Sequence, residues 1–255
     1  EQFVVGALEP PVYIGWGSMM FGSAAHLTEL ALRALMGVSE RGVILRGWAG
    51  LGIESLDPCK PCYEQLVSFA RSSVYFADSV PHEWLFPRCK LTVHHGGAGT
   101  THAALRAGRP TVITPVCFDQ TAFARLVNEN GCGVAAAPLR QLTADVLGAA
   151  IRAVQAPAVV ERARDIGHFM HREDPASQIV VAMEDFLARH ADADGFRQQY
   201  YDRFAEWFGN APACACRPSI RHRPPRKLQP IKRVPTPSTS IGALIYQRWL
   251  GGDKK

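Results

Sequence analysis

The segment from His94 to Thr101 has the residue types of an anion site: His-His-Gly-Gly-Ala-Gly-Thr-Thr. It follows a predicted strand and opens a predicted helix. Glycines let a phosphate approach the backbone, and the free amides and dipole at a helix N-terminus favour negative charge. The segment therefore predicts phosphate binding. An ordinary strand-to-helix turn capped by threonine explains the same residues, so this segment alone leaves both interpretations open.

Two common nucleotide motifs are not complete in this sequence. The dinucleotide fingerprint G-x-G-x-x-G fails twice, because Met20 replaces the third glycine after Gly15 and Gly17, and His102 replaces it after Gly97 and Gly99. Neither glycine turn is followed by Gly-Lys-Ser/Thr, so the P-loop is also missing. The patterns argue against NAD and against ATP or GTP hydrolysis, and they leave phosphate binding by another motif.

Three further loops follow predicted strands and contain polar residues: Gly17-Ser18, Pro81-His82 and Asp119-Gln120. Open α/β sheets bind their ligands at the carboxyl ends of the strands, so all these loops are expected at one crevice. Asp119 and Gln120 offer the acceptors and donors that several sugar hydroxyls require. Taken singly, Asp119 is typical of a helix N-cap and Ser18 of a turn.

The elements that position these loops alternate between strand and helix, which is typical of stacked βαβ units. Continuous apolar runs predict buried parallel strands at Val12–Gly15, Gly42–Arg46, Val74–Phe76, Leu91–His94 and Thr111–Thr114. Helical spacing predicts helices between them, including one that ends at Gly37, one from the glycine turn to Gly108, one over Gln120–Asn130 and one capped by Thr143. The fold class is α/β, a Rossmann-like parallel sheet.

Several ordered motifs together resemble the C-terminal donor half of UDP-sugar glycosyltransferases, nearest to the sterol 3-beta-glucosyltransferases, with the macrolide and glycopeptide-antibiotic glycosyltransferases close behind. The resemblance covers roughly residues 10–190. It is carried by Tyr13-Ile-Gly-Trp-Gly-Ser18, Gly47-Trp-Ala-Gly-Leu-Gly52, Pro81-His-Glu-Trp-Leu-Phe86, the run from His94 to Gly108, and Asp119-Gln120.

The resemblance implies the C-terminal half of a two-domain GT-B fold and a set of donor-binding residues. Within its motifs, Gly17 and Trp48 border the donor crevice, Val80 and His82 lie along the uracil, and Asp119 and Gln120 take the sugar hydroxyls. Where many plant relatives stack a tryptophan on the base, this chain has Ser79. The residues implied to hold the pyrophosphate are Ser18, His95, Gly97, Gly99 and Thr100.

The reaction implied is inverting transfer of a hexose, glucose first, from a UDP-sugar to a hydroxyl of a lipid-like acceptor such as a sterol. No metal and no cofactor are expected, because His95 and the helix amides are implied to stabilise the leaving diphosphate. The general base is expected in an N-terminal domain, so no catalytic residue is identified in this sequence. Two alternatives remain: a nucleotide-sugar-binding module without turnover, and a nucleotide-sugar epimerase of GT-B fold.

Three regions are predicted: a donor-binding domain at 10–193, a helical return segment at 194–208, and a flexible tail at 209–255. The tail is rich in Pro and Arg, and no acidic residue occurs between Glu206 and Asp253. Its basic run and short apolar end are interpreted as a linker with a docking helix or, alternatively, as a peripheral membrane contact. The net charge of +5 is weak evidence for a nucleic-acid partner, because much of the basic excess lies in this tail and not across a folded face. No nucleic-acid partner is expected.

Cysteine usage and composition place the protein in the cytoplasm in this interpretation. Seven cysteines form an odd set with no repeating spacing, which favours reduced thiols over a disulfide framework. Cys59 and Cys62 have the spacing of half a zinc site, but no second pair with suitable spacing follows, so incidental thiols are expected. The hydrophobic fraction of 47% is ordinary for a globular protein.

Overall fold

One sheet of six parallel strands organises the computed structural model, which describes residues 2–6, 8–19 and 22–190. The five predicted strands are all present, so the predicted parallel α/β sheet is confirmed. The sheet order is β3-β2-β1-β4-β5-β6, with β1 at Val12–Gly15, β2 at Gly42–Leu45, β3 at Val74–Ala77, β4 at Leu91–His94, β5 at Thr111–Ile113 and β6 at Gly133–Ala135.

The strand order reverses between β1 and β4. From β1 the chain runs outward to β2 and β3, then crosses back to β4 and continues outward to β5 and β6. Gly15 is in register with His94, so the loops that leave β1 and β4 start side by side and diverge. Such a reversal is the point at which open α/β sheets form a ligand crevice.

Helices cover both faces of this sheet. In the residues described, the α-helices are α1 Gln2–Val5, α2 Ala24–Gly37, α3 Tyr63–Ser73, α4 His82–Leu85, α5 Ala98–Arg106, α6 Gln120–Glu129, α7 Ala144–Ala153, α8 Pro157–Arg172 and α9 Pro175–His190. None of the helices within 2–190 that the structure describes has the length and apolar character needed to cross a membrane.

Alternation along β1 divides the core into two layers. Val12 and Ile14 pack with apolar residues of α2, α3 and α7 on one face. Tyr13 packs with Val43 and with residues of α4 and α5 on the other face. A third cluster joins β5 to α5, α6 and α8. Strands buried on both faces explain why the apolar runs are continuous rather than alternating.

Local signals define several helix ends. The hydroxyl of Thr143 accepts a hydrogen bond of 3.3 Å from the amide of Val146 and caps α7, as predicted. Helix α2 ends at Gly37, and Gly108 follows α5 with a φ of +65°, so both predicted stops are confirmed. Strand β6 was not predicted, because Gly133–Ala135 is three residues long and begins with glycine. The predicted segments 194–208 and 209–255 lie outside the described residues.

Candidate functional site

The N-terminus of α5 opens at the carboxyl edge of the sheet. The first amide of this helix with a helical partner is that of Thr101, which donates to the carbonyl of Gly97 at 2.9 Å. The amides of Ala98, Gly99 and Thr100 therefore have no partner within the helix. No side chain caps this end, and a Cβ added at Gly99 meets no atom within 4 Å. The arrangement leaves three amide donors without a helical partner, next to open space at Gly99.

The two threonines of this turn have different roles. The hydroxyl of Thr101 is buried and donates to the carbonyl of Gly97 at 3.0 Å, so it stabilises the first turn of α5. Thr100 is partly exposed, and its side chain makes no hydrogen bond to the described part of the chain. Of the two, Thr100 is the hydroxyl that remains available for an anion.

His94 is a structural residue at the end of β4. It is fully buried; its Nδ1 accepts from the amide of Gly96 at 3.0 Å, and its Nε2 lies 2.8 Å from the hydroxyl of Thr111. Because Nδ1 is an acceptor, Nε2 carries the proton and donates to Thr111. Burial is the main cause that lowers the pKa of His94 to about 3. The neutral ring therefore fixes the turn that precedes α5.

His95 occupies the crevice itself. A Cβ added at Gly17 would lie 3.4 Å from its Cε1, and one added at Gly97 would lie 2.5 Å from its Nε2, so its ring lies between the turns after β1 and β4. Its Nδ1 is buried and has no hydrogen-bond partner among the described residues. Burial lowers the pKa of His95, the charge of Asp119 opposes this, and His82 adds to it. The ring thus lies at the start of α5, with Nε2 on the side of Gly97 and Nδ1 on the side of Gly17.

The loops after β1 and β2 are joined through their backbones. Gly17 has a φ of +62°, and its carbonyl accepts from the amide of Trp48 at 3.1 Å. A Cβ added at Gly47 would lie 2.5 Å from that carbonyl, so glycine is required for this approach. Ser18 is exposed, and the side chain of Trp48 is 75% exposed. The structure thus brings Gly17, Ser18 and Trp48 together at one edge of the crevice.

The turn after β3 is anchored to β1. The Nε2 of His82 lies 3.4 Å from the hydroxyl of Tyr13, and its ring stacks on Phe86 with centroids 4.4 Å apart. Burial lowers the pKa of His82. Val80 is partly buried against the same apolar cluster as Tyr13. The side chains of Val80 and His82 thus take part in the packing that fixes this turn.

Asp119 and Gln120 are neighbours with different surroundings. Asp119 is exposed at the N-cap position of α6, but its side chain makes no capping hydrogen bond. Gln120 is only 4% exposed, and its Oε1 accepts from the amides of Val116 and Cys117 at 2.8 and 3.1 Å. Asp119 therefore presents a carboxylate at the crevice, whereas the carbonyl oxygen of Gln120 is engaged in holding the loop.

Sequence reasoning missed two features of this site. The indole of Trp16 donates to the hydroxyl of Thr114 at 2.9 Å, which ties the end of β1 to the end of β5 across β4. Phe118, directly before Asp119, has a φ of +55° and a side chain that is 88% exposed. The position of Trp16 between Gly15 and Gly17 is the sequence signal for the first feature, the hydrogen bond to Thr114. No local pattern signals the second, because phenylalanine rarely adopts positive φ.

The arrangement is suited to an anion with a polyhydroxylated attachment. The open amides, Thr100, Ser18 and His95 offer donors to an anion, and the carboxylate of Asp119 accepts hydroxyl groups. Among the residues that the structure describes, no group of three or more His, Cys, Asp or Glu side chains is arranged to hold a metal ion. Cys62 accepts a contact from the Arg33 guanidinium, and Cys59 is exposed.

Comparisons with known proteins match this fold and these motifs. Residues 64–185 match the family model described as erythromycin biosynthesis protein CIII-like, C-terminal domain. A sterol 3-beta-glucosyltransferase of Arabidopsis thaliana is 36% identical over 181 residues, which cover 71% of this chain and 27% of that protein. One of Komagataella phaffii is 31% identical over 201 residues, covering 76% of this chain and 15% of that protein. The chain thus spans about a quarter or less of these relatives.

Solved structures show the same architecture. The spinosyn forosaminyltransferase SpnP has a TM-score of 0.56 and 21% identity, covering 71% of this chain and 44% of that one. A variant of Os79 from O. sativa in complex with UDP has a TM-score of 0.53 and 18% identity, covering 64% of this chain and 37% of that one. The fold is the C-terminal half of a GT-B architecture, and the resemblance to sterol and antibiotic glycosyltransferases is confirmed.

Proposed function

Because this chain is similar to the C-terminal, donor-binding domain of UDP-glycosyltransferases, we propose that it binds a UDP-sugar and serves the transfer of a hexose, glucose first, to a hydroxyl of a lipid-like acceptor such as a sterol. The observation that carries the proposal is the open N-terminus of α5 beside the ring of His95, at the point where the strand order reverses. An anion fits there on physical grounds alone.

The diphosphate is the part of the donor that this geometry supports most directly. We place it against the amides of Ala98, Gly99 and Thr100, with the hydroxyls of Thr100 and Ser18 and the ring of His95 as further donors. Negative charge grows on the leaving UDP during transfer, and these donors are already oriented toward it. One preorganised donor of this kind contributes roughly 10²–10³ in rate. The same donors supply the positive potential for which other enzymes use a metal, so no metal is required by the proposal.

The sugar is placed next to Asp119. Its carboxylate is exposed and makes no capping hydrogen bond, so it can accept from two hydroxyls. Gln120 positions the loop through its Oε1, and its amide nitrogen donates toward the sulfur atoms of Met19 and Cys117 at 3.5 and 3.9 Å, so it reaches a sugar hydroxyl only by giving up one of these weak contacts. The proposed assignment therefore gives Asp119 the main role in recognising the hexose.

The acceptor and the base are assigned by similarity only. The relatives named above are sterol 3-beta-glucosyltransferases, and this supports a sterol-like acceptor. In a GT-B fold the acceptor binds in the N-terminal domain, and we place the general base there as well. Attack by the activated hydroxyl on the anomeric carbon, with UDP leaving from the opposite face, inverts the configuration at that carbon.

Calorimetric titration of the 255-residue chain with UDP, UDP-glucose, UDP-galactose and NAD tests the donor proposal. We expect saturable binding of UDP and of at least one UDP-hexose, and no binding of NAD. Folded protein that binds none of these ligands would contradict the proposal. Product analysis with an added N-terminal domain then separates transfer, which needs an acceptor, from epimerisation, which changes the UDP-hexose without one.

A further inference from the structure

A basic cavity lies away from the donor crevice, between the C-terminal end of α5 and α8. Its volume is about 310 Å³. Five of its lining residues are basic: Arg106, Arg109, Arg164, His168 and His171. No acidic residue occurs among the described residues that line it.

Two glycines bring the walls of this cavity together. Gly108 has a φ of +65° and follows α5, and a Cβ added at Gly167 of α8 would lie 2.6 Å from the Cα of Gly108. A Cβ added at Gly108 would lie 3.4 Å from the Cα of Arg164. The backbones therefore meet at glycine, and Arg164 and His168 of α8 come close to Arg109.

Four of the five basic residues of this cavity are exposed: Arg106, Arg164, His168 and His171. None of its five basic residues takes part in an ion pair with the part of the chain that the structure describes. The Nε of Arg109 is buried and has no hydrogen-bond partner there, although its Nη2 donates to the carbonyl of Pro87. Burial is the main cause that lowers the pKa of Arg109; Cys89 opposes this shift, and the charge of Arg164 adds to it.

Helix dipoles explain part of this cluster. Arg106 donates to the carbonyl of Met170 at 3.0 Å, in the last turn of α8, and Arg109 follows the end of α5. Cations at these positions are favourable near helix C-termini. Arg164 lies in the middle of α8 and His168 a turn further on, so the dipole gives no reason for placing them beside Arg109. Like charges held together are stabilised by an anion between them.

We propose that this cavity binds a phosphate group, either of a free phosphate ester or of a phosphomonoester lipid headgroup. Guanidinium groups match phosphate oxygens in a bidentate geometry, and Arg109 and Arg164 supply two of them. The nine residues of α5 separate the cavity from the donor turn by about 13 Å at 1.5 Å per residue. The site is thus distinct from the UDP-sugar site and does not depend on the proposed function.

Two-dimensional NMR of the ¹⁵N-labelled full chain, titrated with inorganic phosphate, locates the anion. We expect saturable shifts of the amides of residues 106–109 and 164–168. Arg164→Gln removes one charge-assisted contact and should weaken this binding roughly 10- to 100-fold. Arg71→Gln is the matched control, because Arg71 is an exposed arginine on α3, outside the cavity. Shifts confined to residues 97–100, or an affinity unchanged in Arg164→Gln, would overturn the proposal.

Vesicle sedimentation distinguishes the two sources of the phosphate. The full chain and both variants are compared on phosphatidylcholine vesicles with and without phosphatidic acid, so any contribution of the basic tail is the same in every arm. A loss of binding to phosphatidic acid in Arg164→Gln, but not in Arg71→Gln, identifies a lipid headgroup. Phosphate binding by NMR with vesicle binding unaffected by Arg164→Gln identifies a free phosphate ester. Whatever the vesicles show, an affinity for phosphate by NMR that is unchanged in Arg164→Gln refutes the site.

Discussion

Replacing Gly99 by alanine separates the stability of the fold from binding of the donor. A Cβ at this position meets no atom within 4 Å, and Gly99 is the second residue of α5, where alanine is compatible with the helix. The substitution should therefore fold normally and raise the free energy of unfolding by about 0.4–1 kcal/mol. For a domain of this size, that corresponds to a melting temperature higher by roughly 1–4 °C.

The same methyl group lies in the space that we assign to the diphosphate. A phosphate in contact with the amides of Gly99 and Thr100 must move away from it and lose at least one charge-assisted hydrogen bond. We expect the dissociation constant for UDP to rise about 10- to 100-fold. Calorimetric titration with UDP measures the affinity, and thermal unfolding of the unliganded protein measures the stability.

Gly37→Ala is the matched control for this experiment. Gly37 also has no atom within 4 Å of an added Cβ, and it is the last residue of α2, on the same chain but outside the crevice. It should leave UDP binding unchanged. If Gly99→Ala binds UDP as tightly as the wild type does, the phosphates do not contact the backbone of α5, and the reasoning behind the proposed function fails.

Three further predictions address neighbouring residues. Asp119→Asn should weaken binding of UDP-glucose about tenfold while UDP binding stays constant, and equal losses in calorimetry for both ligands would contradict the sugar assignment. Gln120→Ala should lower the free energy of unfolding by about 1–3 kcal/mol, because the amides of Val116 and Cys117 lose their acceptor. Chemical denaturation measures this loss. Gln120→Glu is the control, because it keeps an acceptor oxygen at the same place. His94 has a folded pKa of about 3, so the stability tied to its neutral form is present above its unfolded pKa of ~6.5 and is lost as the pH falls toward the folded value. The free energy of unfolding should fall by about 1.6 kcal/mol between pH 6.5 and 5. A His94→Asn variant whose stability has the same dependence on pH would contradict this.

Much of the fold follows from local patterns, and the exceptions have local causes. The strands β1 and β4 are apolar runs that end in glycine or histidine, and both were predicted with their observed bounds. Strand β6 has three residues, too few for any periodicity to appear. It exists because β5 offers it an unpaired edge in register from Thr111 to Ile113. A partner strand of this kind is a tertiary property that no short sequence window contains.

The candidate site also contains features that depend on the tertiary structure and that the local sequence does not predict. Adjacent histidines are equivalent in the sequence, but His94 is the last residue of a buried strand and His95 the first residue of the loop, so only His95 reaches the crevice. The burial of Gln120 depends on the path of the loop from Pro115, which brings two amides to its side chain. That path includes Phe118 at positive φ, and the neighbouring sequence gives no sign of it.

The donor turn is held in place by contacts that lie behind it. His94 accepts a hydrogen bond from the amide of Gly96 through Nδ1 and donates one to the hydroxyl of Thr111 through Nε2. The carbonyl of Gly17 accepts a hydrogen bond from the amide of Trp48. The open amides of α5 are therefore oriented before any anion arrives, and binding has little backbone to order. Preorganisation of this kind raises affinity by lowering the entropy cost of association, and it places the same donors where charge develops on the leaving group. A site that served only to bind a nucleotide sugar would need the first of these effects, whereas a transferase uses both.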